Sequence, residues 1–279
     1  MKFYVDLSCW YYAIGIVSSI LLLPLLFVLF PNDLNDMKLF YVWLICALIW
    51  TGCLYSFFQS LAVKRLNKLA KVRSEECRIR DFKNAWEKFR NQKYLFLVQQ
   101  ARDNHEQAIK INLSAAYLDL GEAEKALELL LSVPEKFMNN ASGASYKMTW
   151  YNNLAAAYLK LHDVEHTEQM LAQMKEVLGH PKLSKSNREA LEKAYQTKKI
   201  LLAMEQGNYE GSEAFFLECL AKETPKLIQV YNHYYLAEVY RHFGNKEREQ
   251  ECLTFVADNG GDSIYAQEAR KQLELLKFQ

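Results

Sequence analysis

The chain has 279 residues, enough for one or two domains with a sizeable core. Its 34 Lys and Arg stand against 33 Asp and Glu, a net charge of +1, which excludes a strongly basic nucleic-acid binder and an acidic tail protein. Only 10 glycines and 5 prolines exclude collagen-like, linker-rich and turn-dense all-β chains.

Two apolar stretches open the chain. Residues 10–30 read WYYAIGIVSSILLLPLLFVLF and residues 39–58 read LFYVWLICALIWTGCLYSFF, both without a charge. A helix needs about 20 apolar residues to cross a hydrocarbon core of roughly 30 Å. Both runs have that length, and both carry Trp or Tyr near their ends, where such rings favour the interface. The expectation is a transmembrane hairpin over 1–58. Pro24 kinks its first helix, and PNDLNDMK forms the connecting loop. The loop bears Asp33 and Asp36, whereas Lys64, Arg65, Lys68, Lys71 and Arg73 follow the second run. Cations beside a span stay on the cytoplasmic side, so the amino terminus and everything after Phe58 are expected in the cytoplasm. A cleaved signal peptide is the rival for the first run, but no small-x-small site precedes the acidic loop. The minimal two-span anchor points to a bacterial plasma membrane.

Residues 59–104 form a basic juxtamembrane region. SLAVKRLNKLAKVR, 60–73, has Leu61, Leu66, Leu69 and Val72 near a helical period, with the five cations between them. Two readings stand: a cationic helix lying on anionic headgroups, or a stalk that continues the second membrane helix. FKNAWEKFRNQKYLFLVQQ, 82–100, is helical in pattern and reads as a degenerate first repeat or a cap.

From residue 105 to 279 the sequence repeats itself. NLSAAYLDLGEAEKALELLL at 112–131, NLAAAYLKLHDVEHTEQML at 153–171 and YLAEVYRHFGNKEREQECLTF at 235–255 share one frame, with a weaker copy, ILLAMEQGNYEGSEAFFLECL, at 200–220. The frame aligns Leu113, Leu154 and Leu236; Ser114, Ala155 and Ala237; Tyr117, Tyr158 and Tyr240; and, at a turn, Gly121, His162, Gly207 and Gly244. Its physics is a helical hairpin: a small residue lets two helices approach, Tyr fills the space a turn along, and Gly ends the first helix in a left-handed cap. One hairpin cannot bury both faces, so neighbours must stack. Extended loops fall around 138–145 and 178–187, and Tyr265, Ala269, Leu273 and Leu276 give the last helix the face of a solenoid cap.

This frame resembles the tetratricopeptide repeat, a helix–turn–helix unit of about 34 residues with the order small, Tyr, Gly, Ala. The resemblance implies an all-α protein: a two-helix membrane hairpin followed by an α-solenoid. It also implies a concave groove, lined by the first helices, that holds a peptide or partner protein. The positions it assigns to the groove are Asn112, Leu118, Asp119, Asn152, Asn153, Lys160, Tyr231, Tyr234, Tyr235, Glu238 and Arg241. Family members that grip a carboxyl terminus use Lys and Asn where this chain has Ile111, Asn152, Ala115 and Ala156, which disfavours that clamp. The expected function is a membrane-anchored interaction scaffold without cofactor, nucleic acid or small-molecule substrate. A permanent subunit of a membrane complex is the alternative.

Enzyme signatures are sparse. HDVEH, 162–166, matches the H-x-x-E-H zinc pattern, and a membrane metalloenzyme built on it is the remaining alternative. The repeat frame sets His162 at a turn and His166 on the next helix, so the two imidazoles are not expected to converge. The chain has no phosphate loop, dinucleotide fingerprint or Gly-x-Ser-x-Gly elbow. Its six cysteines show no C-x-x-C and read as buried thiols in a reducing compartment.

Overall fold

The computed structural model describes residues 17–18, 36–91, 99–139, 146–179 and 185–276, and among them the secondary structure is helical, without a strand. The chain forms two compact units, Met1–Leu69 with Gln92–Leu97, and Ala70–Asn91 with Val98–Gln279.

The first unit is dominated by α1, Asp36–Ser74, a single helix of 39 residues whose last turns, from Ala70, belong to the second unit. The stretch 60–73 therefore continues the helix of the second apolar run without a break. Apolar side chains on α1 are exposed along its length, among them Ile45 at 57%, Leu48 at 65% and Ile49 at 62%. Trp50 Nε1 donates to Ser18 Oγ at 2.7 Å, joining the two apolar runs. No helix among the described residues is long and apolar enough to cross a membrane. The stretch 39–58 lies on α1, but the side chains of 39, 40, 51, 55 and 58 fall outside the description, and so does nearly all of 10–30. The expected two-span hairpin is thus not carried by the described helices.

The second unit stacks helical hairpins. Its helices are α2 Ile79–Arg90, α3 Gln99–Asp119, α4 Ala123–Leu131, α5 Glu135–Met138, α6 Lys147–Lys160, α7 Val164–Leu178, α8 Lys185–Glu205, α9 Ser212–Leu220, α10 Lys226–His242, α11 Lys246–Asn259 and α12 Ile264–Leu276. α3 packs on α4, α6 on α7, and α10 on α11. α3 also packs on α6, and α6 on α8, which is the neighbour-to-neighbour arrangement of an α-solenoid.

The four turns read from the sequence are one structure repeated. Gly121 (φ 81°), His162 (58°), Gly207 (84°) and Gly244 (73°) are all left-handed. Two residues define the same pair of bonds each time. Glu122, Asp163, Asn208 and Asn245 donate their N–H to the carbonyls of Tyr117, Tyr158, Ala203 and Tyr240 at 2.8 to 2.9 Å. The turn residues donate to Leu118, Leu159, Met204 and Arg241 at 2.9 to 3.1 Å. This is the Schellman closure, which satisfies helix carbonyls that would otherwise be orphaned. His tolerates the left-handed region better than most side chains, which explains its place in the second copy. Asp163 and Asn245 then cap the following helices, accepting from His166 N at 3.1 Å and Arg248 N at 3.2 Å. The frame leucines 113, 154 and 236 are buried, as are Ser114, Ala155 and Ala237.

Sequence periodicity did not signal that the last turn returns to the first helix of the unit. Asp262, between α11 and α12, accepts from the N–H groups of Ile79 at 2.6 Å and Arg80 at 2.9 Å. It thereby caps α2 from the far end of the chain, while Asp262 N donates to Cys77 O at 3.3 Å. Gly261 is left-handed, and a Cβ there would lie 2.2 Å from Cys77 O, so only glycine permits the approach. The last helix is therefore more than the expected cap: it closes the solenoid onto its own beginning.

Replacing Asp262 by Ala removes an N-cap acceptor and should cost about 1 kcal/mol, lowering Tm by about 2–4 °C. Asp262→Asn, which keeps one acceptor, should lose less. Thermal unfolding followed by circular dichroism checks this; equal melting of Asp262→Ala and the unmodified protein would show the closure to be energetically idle.

Candidate functional site

The centre of the second unit is organised around a buried carboxylate. Asp119, at the end of α3, is 2% exposed and accepts from Arg73 Nε at 2.6 Å. It also accepts from the Tyr231 hydroxyl on α10. Burial opposes the charge on Arg73, but Asp119 and Tyr231 outweigh it and hold the guanidinium's pKa above its ordinary value. Burial, with Asp119 second, pushes the Tyr231 phenol well above its usual range, so it stays a donor. Arg73 was expected to face lipid with its basic neighbours. The reach of Asp119 instead turns it inward, whereas Lys64, Lys68 and Lys71 remain exposed on α1, as does Arg65.

Beside this triad lies a cavity of about 650 Å³. Its walls come from the ends of α6, α8 and α10 and from the start of α12. One wall is aromatic. Tyr265 of α12 meets Tyr231, Tyr234 and Tyr235 of α10 edge-on, with ring centroids 4.7, 4.9 and 6.1 Å away. Tyr235 stacks on Phe216 at 5.9 Å. At the rim Tyr209 stacks on His242, centroids 3.9 Å apart.

Charges of both signs line the cavity. Lys160 and Lys198 are among them, with Lys160 Nζ 4.5 Å from the centre of the Tyr265 ring. Burial, followed by the charge of Lys160, lowers Lys198 to about 8. Glu205, Glu238 and Glu268 line it too, and the Tyr234 hydroxyl donates to Glu268 Oε2 at 2.6 Å. Burial raises Glu238 to about 7, against the pull of Arg241. Arg241 is engaged elsewhere, its Nε on the buried Glu249 at 2.7 Å and its Nη2 on Gln272.

The residues expected in a groove thus separate into two groups. Lys160, Tyr234, Tyr235, Glu238 and Arg241 converge on the cavity, and Tyr231 and Asp119 stand immediately behind it. The others hold the helices together. Leu118 is 5% exposed and packs with Ala126 and Ala157. Asn112 donates back to Ala108 O at 2.8 Å. Asn153 is buried and donates to Ile111 O and Ser114 Oγ at 3.2 Å each, bonding α6 to α3, while Asn152 donates to Asn153 Oδ1 at 3.3 Å. Their amides are committed to these partners. Sequence reading missed Lys198, Glu268 and Tyr209 and gave Tyr265 only a packing role. No period marks Lys198 within α8, and Tyr265 reaches the cavity only because the solenoid closes.

The two histidines of HDVEH diverge. His162 Nδ1 meets Glu205 Oε1 at 2.6 Å, whereas His166 bonds Asp163 at 2.8 Å and stacks on Tyr158 with centroids 4.9 Å apart. Among the described residues no group of three or more His, Cys, Asp or Glu is placed to hold a metal ion. Cys46, Cys53, Cys77, Cys219 and Cys252 are free thiols, and Cys9 lies outside the described residues. No family model, curated protein or solved structure matches the chain.

The carboxyl of Glu238 gives the unit a pH signature. Its folded pKa, about 7, lies above the ordinary 4.5, so its contribution to stability is complete below pH 4.5 and is lost as pH rises through 7. Arg241 and Lys160 oppose this effect and Glu268 reinforces it. Glu238→Gln should flatten stability between those pH values and melt higher than the unmodified protein above pH 7. Tm measured across that range tests it, and an unchanged slope would mean that the carboxylate is solvated.

Proposed function

We propose that this protein is a non-enzymatic binding protein held at a membrane, with a tetratricopeptide-like helical domain that receives a peptide of a partner protein in its central cavity. The observation that carries the reading is the convergence of five groove positions on one cavity of about 650 Å³, walled by tyrosines. Tyr offers large contact area at small entropic cost, and a volume in this range suits a side-chain cluster or a short peptide.

The membrane part rests on two uncharged runs of about 20 residues, and on apolar side chains that α1 exposes to its surroundings. In water such a surface is costly; against lipid tails it is not. The basic residues Lys64, Arg65, Lys68 and Lys71 follow the second run, which supports a cytoplasmic helical domain in this reading, with a bacterial plasma membrane as the proposed setting. Tethering there raises the effective concentration of the domain for partners in the same membrane.

Two measurements test this reading. The protein should resist carbonate extraction, and protease should digest the helical domain in inverted vesicles but not in right-side-out spheroplasts; digestion in the spheroplasts would reverse the topology. A photo-crosslinking amino acid at Tyr209 on the cavity rim should yield a discrete heavier product in intact cells, whereas the same group at exposed Glu247 should not. Identical patterns from the two positions would remove the cavity from the function.

A further inference from the structure

The two lysines of the cavity are half-buried. Lys198 and Lys160 come from α8 and α6, and the charge of Lys160 disfavours that of Lys198. Asp119, whose charge favours that of Lys198, already accepts from Arg73 and Tyr231. Among the described residues neither ammonium makes an ion pair; Lys160 lies over the Tyr265 face, at 4.5 Å, in the field of Glu238. For Lys198 desolvation outweighs the pull of Asp119, so a counter-charge brought by a ligand would favour its ammonium. Two half-buried lysines without an ion pair, both lining a space of about 650 Å³, suit an anion.

The rest of the wall narrows the anion. Glu238 and Glu268 face the same space and would repel a polyanion, but they suit an ammonium or N–H donor carried by the same ligand. Tyr234, Tyr235 and Tyr265 line the same space and would receive an apolar body, and a volume of about 650 Å³ suits a compact ligand.

We propose that the cavity is a receptor for a compact peptide zwitterion, with Lys160 and Lys198 binding its carboxylate and Glu238 and Glu268 receiving its amine. This deepens the peptide-binding reading and rests on it, and it assigns the lysine pair at positions distinct from those of the clamp that the sequence disfavours. The carboxylate brings the missing counter-charge, and its arrival favours the protonated form of Lys198.

The test uses the full-length protein in detergent and the tripeptides Gly-X-Gly, with each natural side chain at X. Thermal shift and calorimetric titration should show binding that is strongest where X is apolar or aromatic. Amidating the carboxyl terminus should weaken binding at least about tenfold, the equivalent of 1.4 kcal/mol, and N-acetylation should also weaken it. Gly-Asp-amide, which keeps a side-chain carboxylate alone, separates the two sources of the anion: binding assigns a side chain, and no binding assigns the chain end. Lys198→Met should raise the Tm of the unliganded protein yet lose tripeptide binding, a combination that a purely structural lysine does not produce. Lys160→Met should lose binding as well. Equal affinity for free and amidated peptides, unchanged affinity in Lys198→Met, or no tripeptide bound at all overturns the proposal. Crosslinking to a partner from Tyr209 would persist in those cases if only the zwitterion subsite were wrong, and would vanish if the peptide-binding reading itself were wrong.

Discussion

A single buried carboxylate ties together segments that are far apart in the chain. Asp119 ends α3, Arg73 ends the long α1, and Tyr231 lies on α10; all three meet at one point. An unpaired carboxylate at 2% exposure would be several kcal/mol unfavourable, so the helices can pack tightly there only when both donors arrive. Such groups contribute little net stability, because desolvation offsets most of the attraction. What they contribute is selection among packings: an arrangement of the hairpins that shifts α10 by a turn leaves Asp119 without its phenol. The closure by Asp262 and Gly261 works in the same sense, fixing where the end of the solenoid meets its beginning.

Much of the local architecture was legible in the sequence because it is local. The turn residues 121, 162, 207 and 244 were aligned by their distance from a Leu and a small residue, and the bonds that close those turns span only five residues. Hydrogen bonding of that range is dictated by the segment itself, so its period survives in the sequence even in the third copy, where Ala203 replaces the frame tyrosine. The burial of Leu113, Leu154 and Leu236 follows from the same argument.

The site was legible only in part, for a physical reason. A repeat frame tells which face of a helix looks inward, which is how Lys160, Tyr234, Tyr235 and Glu238 were selected. It does not tell whether an inward position meets solvent or another helix. Asn153 and Leu118 have the right phase but lie where α3, α6 and their partners touch, and packing took them. Lys198 and Tyr265 needed knowledge of which helices converge across the solenoid, and Asp262 acts across 183 residues of sequence to the N–H of Ile79. Contacts of that range leave no periodic trace.

The distribution of charge in the second unit separates what folds the domain from what the domain is for. Arg73, Arg241 and Arg248 each have a carboxylate within 3.1 Å, and Glu249, the most buried of those partners after Asp119, is satisfied by Arg241. A sequence selected for stability alone would treat Lys160 and Lys198 likewise, or replace Lys198 by Met or Leu, since an apolar chain of that length fits a largely buried position at no electrostatic cost. Lys160 and Lys198 do not follow those arginines, and both line the cavity of about 650 Å³ that Glu238 and Glu268 also line. Local violations of folding logic concentrate where binding needs them, because a site already satisfied from within has nothing left to offer a ligand. Lys160 and Lys198, without an ion pair among the described residues, are positions that packing alone does not account for and that the proposed recognition would.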